Sequence, residues 1–301
     1  MLGKKALKRL RVAPGEKFKL ADRDPGQVVI PELEDLDKDG LEAASRRFLK
    51  ENLDELAEAQ ETLWANDVWS ILIVLQAMDT AGKDGLIKHV MSGINPQGCK
   101  VTSFKRPSDE ELDHTFLWRC MKALPERGQI GIFNRSYYEE VLVVRVHPEI
   151  LTRQRLPDGK RGRDFWEERF DDINRFERHL VRNGTLVLKF FLHISKEEQR
   201  KRLLARLENP DKHWKFELAD LGERKLWDDY LAAYEEAIAA TSTRWAPWYV
   251  IPADHKWPAR ATVASILTST ITRLKLKSPE VPVGELRRFA AARRELIREG
   301  K

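Results

Sequence analysis

WSILIVLQAMDTAGKDGLIKH, residues 69–89, opens on an almost unbroken apolar run from Ile71 to Leu75 and turns through Asp79, Thr80, Ala81 and Gly82. It resumes with apolar residues at helical spacing, Leu86 and Ile87, then Val90 and Met91. An apolar run of this length closed by a turn predicts a buried parallel strand. Glycine before lysine at the start of a helix predicts a phosphate cradle. The first-turn N–H groups lack partners there, the helix dipole favours anions, and the Lys83 ammonium neutralises what binds. Ala81, Gly82, Asp84 and Gly85 complete the candidate cradle.

The common phosphate loop reads G-x-x-x-x-G-K-[ST]. Here Ala77 replaces the first glycine, a small loss where φ is negative. Asp84 stands where a metal-holding hydroxyl is usual. Two carboxylates, Asp79 inside the loop and Asp84 after the lysine, can supply hard oxygen ligands instead. A carboxylate in a phosphate cradle repels its ligand unless a cation lies between them, so Asp79 argues for Mg²⁺. The plainer alternative is an ordinary strand–turn–helix with a surface lysine, since short glycine motifs also match by chance.

Working outward, 301 residues with 42% hydrophobic and 34% charged content describe a charge-rich globular protein with room for a large core. No apolar stretch is long enough to cross a bilayer. The basic start MLGKKALKRLRVAP lacks the apolar centre of a secretion signal, so a cytoplasmic location and no membrane partner are expected. Cys99 and Cys120 have no metal spacing and are expected as buried thiols, and the scattered histidines argue against zinc. Trp118, Trp214, Trp227 and Trp248 fall on expected packing faces.

Net charge is +5, and its distribution matters more than its size. Residues 153–182, RQRLPDGKRGRDFWEERFDDINRFERHLVR, are dense in arginine around a Pro-Asp-Gly turn and include Arg178 and Arg182. A solvated helix face with i,i+4 pairs is the bland account; an inserted flap that grips a polyanion is the sharper one.

In chain order, residues 1–40 predict a mostly irregular arm and 41–64 an amphipathic helix. Further strands are expected at 99–104, 129–133, 185–194 and 248–251. Helices are expected from Ser108 to about Leu124, after the Ser195 cap, over 218–240 and over 256–276. Strands alternating with helices predict a parallel α/β sheet. Ligands bind such sheets at the carboxyl ends of the strands. That rule gathers Asp79, Lys83, Lys105, Arg106, Asn134 and Arg135 at one edge.

These parts suit phosphoryl transfer, where positioning and charge neutralisation supply most of the catalysis. A metal-holding strand of this class usually ends in aspartate. Here it ends in Asn134, with Glu139 and Glu140 shortly after as acids that could make up the charge. Arg135 can clamp phosphoryl oxygens bidentately. No residue stands out as a general base, which favours an acceptor that is already an anion, such as a nucleotide phosphate.

The set AMDTAGKDG, FKRP, FNRSYYE, FERHLVRNG, KFFLHISKEEQ, PDKHWK, WDDY and APWYVIPADHKWPAR, in this order between about residues 41 and 276, resembles the polyphosphate kinase 2 family. The resemblance implies a thymidylate-kinase-like P-loop fold, three layers α/β/α, with a flexible lid. It implies reversible phosphoryl transfer between inorganic polyphosphate and nucleotides, dependent on Mg²⁺ with Mn²⁺ as a substitute. The implied acceptors are AMP and ADP, with guanine nucleotides as an open extension.

The family's loop aspartate falls on Asp79, its phosphate-binding lysine on Lys83, the arginine after its third core strand on Arg135 and its lid arginine on Arg178. Diphosphate-accepting members often carry aspartate where this chain has Asn134. Expected limits are an arm and helix over 1–64, a core over 65–277 with a lid at about 147–183, and a charged tail over 278–301. The resemblance also suggests a homo-oligomer. Two rivals remain: an ATP-dependent nucleotide kinase, which a Ser or Thr at position 84 would favour, and a nucleic-acid-binding protein. The latter would have no use for Asp79 and Asp84 beside Lys83.

Overall fold

All eight residues of the strand that leads into the loop, β1 (Ser70–Ala77), are buried on both faces. A strand of this kind belongs in the middle of a sheet covered on both sides. The computed structural model, which describes residues 2–300, places it there. With β2 (Cys99–Ser103), β3 (Ile130–Asn134), β4 (Thr185–His193) and β5 (Trp248–Pro252) it forms one sheet in the order β2-β3-β1-β4-β5. Every pairing is parallel, with Leu75 beside Asn134 on one side and Phe190 on the other.

The helices are α1 (Lys4–Leu10), α2 (Lys38–Asn66), α3 (Lys83–Val90), α4 (Asp109–Leu112), α5 (Trp118–Met121), α6 (Val143–Val146), α7 (Arg163–Arg182), α8 (Lys196–Leu207), α9 (Ala219–Lys225), α10 (Trp227–Thr241), α11 (Lys256–Arg273) and α12 (Val283–Glu299). One group packs around α11, which touches α2, α3 and β5; the other forms where α7 meets β4 and α10. The expected P-loop α/β architecture is therefore the observed one. No helix among the described residues is long and apolar enough to cross a membrane.

Several local expectations are corrected. Residues 2–37 are mostly irregular, as expected, but they are packed onto the core. Leu2, Leu10, Val12, Phe18, Leu20 and Ile30 are buried, and the Val12 amide donates to the Trp248 carbonyl at the sheet edge. The Ser108–Glu111 capping box forms, but its helix ends at Leu112, and a second short one starts at Trp118. The expected helix over 218–240 is broken at Leu226 into α9 and α10. Trp227 and Trp248 are buried, while Trp214 is 78% exposed on a six-residue 3-10 turn that buries nothing. Cys120 is buried and Cys99 half-buried, and burial pushes their thiols up to about 12 and about 11.

The arginine-rich flap is corrected most. From Arg163 onward it is α7, whose face of Trp166, Phe170, Ile173, Phe176 and Leu180 is buried against the sheet. That periodicity is the amphipathic one of a core helix. Within this layer Lys189 of β4 lies fully buried. Its Nζ donates to Glu177 Oε2 (2.6 Å), Tyr138 Oη (2.9 Å) and the Thr241 carbonyl (2.7 Å). Glu177 Oε1 accepts from both Tyr137 (2.9 Å) and Tyr138 (2.8 Å). All five of these hydrogen bonds lie inside the core, so the ammonium and the carboxylate are both satisfied there, the condition under which a buried ion pair is tolerated.

Candidate active site

Successive strands are laid to one side of β1 and then, from β4, to the other, so the crevice at the reversal opens at the carboxyl end of β1. The turn that fills it needs special backbone. Thr80 (φ 63°) and Gly82 (φ 105°) lie in the left-handed region, natural for the glycine and strained for the threonine. Ala77, in place of the first motif glycine, sits in the strand and is not among the positive-φ residues. Lys83 opens α3, and its Nζ donates to the Ala77 carbonyl at 3.0 Å.

The loop is braced from behind by α8. Gln199 Nε2 donates to the Asp79 carbonyl (3.1 Å), and Arg202 Nη1 to those of Thr80 (3.2 Å) and Ala81 (2.7 Å). Arg202 Nη2 holds the Ala253 (2.6 Å) and Asp254 (3.0 Å) carbonyls of the turn after β5. With these carbonyls tied back, the first-turn N–H groups of Lys83, Asp84 and Gly85 have no helical partner and are available to an anion.

The end of β3 faces the loop. Asn134 Nδ2 donates to Asp84 Oδ1 at 2.8 Å and, at 3.4 Å, to Ser103 Oγ. Arg135, at φ 63°, donates its N–H to the Leu75 carbonyl (3.1 Å) and its guanidinium to Asp79 Oδ1 (3.1 Å). That pair is partly open to solvent, the side chains being 43% and 36% exposed. Glu139 follows on the 3-10 turn Tyr137–Val141, where Arg135, Lys83 and Asp79 all act on its charge.

Burial, then the Arg135 charge, holds the Lys83 ammonium below its ordinary value, with Asp79, Glu139 and Asp84 pulling the other way. Burial pushes the Glu139 carboxyl up against the opposing pull of Arg135 and Lys83. For Arg135 burial alone would act downward, but Glu139 and Asp79 outweigh it and the guanidinium is held above its usual range. Shifts of both signs crowded in one open cleft make it the candidate functional centre.

The structure therefore brings together Asp79, Ala81, Gly82, Lys83, Asp84, Gly85, Asn134, Arg135 and Glu139. Lys105 and Arg106 follow β2 at the same sheet edge, exposed, beside the Phe104 amide that donates to the Asn134 carbonyl. Glu140 is turned away and buried against Arg169 at 3.0 Å.

Arg178 and Arg182 are not at the site. They lie at the carboxyl end of α7, which leads into Thr185 at the start of β4, and Thr185 pairs with Ser70 at the start of β1. The length of β1, roughly 25 Å at strand rise, separates that end of the sheet from the loop. Their physical setting is a shallow concavity of about 500 Å³ shared with Arg175, His179 and Asn183, with Arg178 over Trp245.

Residues that the sequence reading passed over are Gln199, Arg202 and Ser103. The only signal for the first two was their place on the buried side of the helix capped by Ser195.

The oxygen chemistry fits a divalent cation. Thr80 Oγ1 and Asn134 Oδ1 are buried beside the loop without a hydrogen-bond partner, and the second oxygens of Asp79 and Asp84 carry no protein partner among the described residues. All are hard ligands. No group of three His, Cys, Asp or Glu is poised to hold a metal among those residues.

A parallel sheet whose central strand delivers a glycine–lysine turn, flanked by acids and an arginine, is that of a P-loop phosphotransferase. The polyphosphate kinase 2 profile matches residues 40–279, and the chain belongs to that family.

It is 50% identical over 252 residues to an ADP-polyphosphate phosphotransferase of Rhodopseudomonas palustris, covering 83% of this chain and 87% of that one. It is 44% identical over 274 residues to an AMP/ADP-polyphosphate phosphotransferase of Meiothermus ruber, covering 91% and 96%. The crystal structure of polyphosphate kinase 2 from Arthrobacter aurescens superposes with a TM-score of 0.84 at 41% identity, covering 97% of this chain and 98% of that one.

Proposed function

We propose that this protein transfers phosphoryl groups reversibly between inorganic polyphosphate and nucleotides, taking AMP to ADP and ADP to ATP, with guanine nucleotides as secondary acceptors. The single observation that carries the proposal is the convergence of Asp79, Lys83 and Arg135 on a phosphate loop without the usual hydroxyl after its lysine. In such sites positioning and charge neutralisation dominate. Asp79, with Asp84 and Asn134 beside it, would hold Mg²⁺, or Mn²⁺ in its place. That ion would neutralise and align the phosphate oxygens.

The loop N–H groups and Lys83 hold the group in transit. Arg135, paired with Asp79 through one donor, turns its remaining donors onto the equatorial oxygens of that group. An acceptor phosphate oxygen attacks the terminal phosphorus in line, forming one P–O bond. The bridging P–O bond to the shortened polymer breaks, and the electron pair leaves with it. No proton needs to be removed, which agrees with a crevice that offers no general base.

We further propose that the protein works on cytoplasmic nucleotides as a homo-oligomer; a mass measurement checks the assembly. The deciding experiment is a donor–acceptor matrix of polyphosphate or ATP against AMP, ADP, GMP and GDP, with Mg²⁺, with Mn²⁺ and with chelator. Diphosphates and triphosphates should form from polyphosphate only when a divalent ion is present. No nucleotide phosphorylated from polyphosphate under any condition overturns the proposal.

A further inference from the structure

The arginines that the phosphate loop leaves aside form a cluster of their own at the opposite end of the sheet. Arg175, Arg178 and Arg182 stand at i, i+3 and i+7 of α7, one row about 10 Å long at helical rise. That row lines the concavity of about 500 Å³. Its middle member is braced, the Arg178 guanidinium lying 5.4 Å from the centroid of the Trp245 ring. Arg127 extends the cluster past the end of α7, its Nη1 at 2.5 Å from where a Cβ on Gly184 would stand. Arg244, the chain neighbour of Trp245, is exposed.

The charge here has one sign. Arg175 has Asp171 at 2.7 Å, an exposed pair of small worth. Arg127, Arg178, Arg182 and Arg244 have no carboxylate within ion-pair distance among the described residues. Trp245 Nε1 is a further donor, buried without an acceptor. The carboxyl end of a helix favours a cation, but its dipole is worth only about half a charge, so Arg182 alone would answer it. The unpaired guanidiniums that remain repel one another, which costs stability and draws in a polyanion.

We propose that this concavity anchors the polyphosphate chain far from its reacting end. A distant stretch of the polymer lies along Arg175, Arg178 and Arg182 while its terminus occupies the loop. The inference rests on the polyphosphate reading and deepens it. The length of β1 alone, roughly 25 Å, separates the two places, so only a donor long enough to cross the surface between them engages both. The second grip then acts at the effective concentration that the first one sets. It lowers the KM of long donors and leaves the chemistry untouched.

A single-stranded nucleic acid fits less well. Such strands are held by bases stacked on open aromatic rings, whereas the Trp245 ring is half-buried with a guanidinium over it. A chain of phosphates needs only the row of cations.

The test compares wild type with Arg178→Gln/Arg182→Gln and with Arg175→Gln/Arg182→Gln. The second variant leaves Arg178 on Trp245 and alters only exposed side chains, so it keeps the fold. KM is measured for long-chain polyphosphate and for the nucleotide, with the inhibition constant of tripolyphosphate against the long donor as the reading of the loop. The long-donor KM should rise by about tenfold, while kcat, the nucleotide KM and the tripolyphosphate constant stay within about twofold. Arg178→Lys/Arg182→Lys should keep most of the affinity, because a row of point charges suffices.

A tripolyphosphate constant that rises as much as the long-donor KM, a lowered kcat, or a shift in nucleotide KM overturns the anchor. So does loss of binding to an oligodeoxythymidylate with the long-donor KM unchanged, which assigns the arginines to nucleic acid. A wild-type protein that uses no polyphosphate of any length refutes the function itself. A working wild type whose variants keep its long-donor KM refutes the anchor alone.

Discussion

Within six residues the chain builds two charged clusters of opposite character. Arg135 and Glu139 face the crevice, where they meet Asp79 and Lys83; Tyr137 and Tyr138, between them, face the core and meet Glu177 and Lys189. In the core cluster the ion pair is 0% exposed and the polar atoms have protein partners. In the crevice, Thr80 Oγ1 and Asn134 Oδ1 are orphaned, and the Asp79–Arg135 pair is more than a third exposed. Charge completed by the protein holds a structure together. Charge left incomplete at a strand end is arranged for something that arrives.

The two clusters should therefore fail in different currencies. The largest expected effect is on the core. Lys189→Met leaves Glu177 buried and unpaired, which should cost about 3–5 kcal/mol of stability. Thermal melting should show a fall of roughly 10 °C or more. A melting point within a degree of wild type would mean that the Glu177 carboxyl is satisfied without its lysine.

Lys83→Ala breaks the other side. It should lower kcat by about a hundredfold to a thousandfold, as expected for removing a charge aimed at the transferring group. Asp79→Asn should fall in the same range. Because Lys83 lies among like charge from Arg135, its loss should leave the melting point within about 2 °C of wild type. Near wild-type turnover in either variant removes that residue from the mechanism.

Asn134→Asp sharpens the contrast on a smaller scale. It sets a second carboxylate where the amide now donates to Asp84 at 2.8 Å. Two carboxylates that close do not both stay ionised without a cation between them. The variant should melt about 2–4 °C lower in chelator than in Mg²⁺, a gap that wild type shows only in part. Melting that ignores the metal would place the cation away from Asp84.

The sheet was legible because an apolar run ending in a turn has few other uses, and the rule that ligands gather at strand ends groups Asp79, Lys83, Asn134 and Arg135, which the fold does bring together. Partnership was not legible. Lys189 sits inside TLVLKFFLHI, where the pattern says only that the strand is buried; Glu177 and the two tyrosines that satisfy it come from distant elements. Arg178 and Arg182 misled because charge density does not show which end of a helix faces the site. α7 runs antiparallel to β4, so its carboxyl end points away from the loop. Arg202 was hidden for the converse reason, since it acts on backbone carbonyls that no motif records.

The finest comparison lies in Glu139, a crevice residue whose carboxyl is pushed up mainly by burial. A folded pKa above the unfolded one, about 4.3, means that the native state binds the proton more tightly. Its contribution to stability is then fully present below the unfolded value and lost as pH rises through the folded one. At neutral pH the ionised group weighs against the fold, and Glu139→Gln should raise the melting point there by about one or two degrees. The same change removes an acid that holds Arg135, so kcat should fall several-fold. The acid limb of the wild-type pH–rate profile, lying above the ordinary carboxylate range, should disappear. A variant that loses stability at neutral pH, or keeps that acid limb, would place Glu139 with the completed charges of the core.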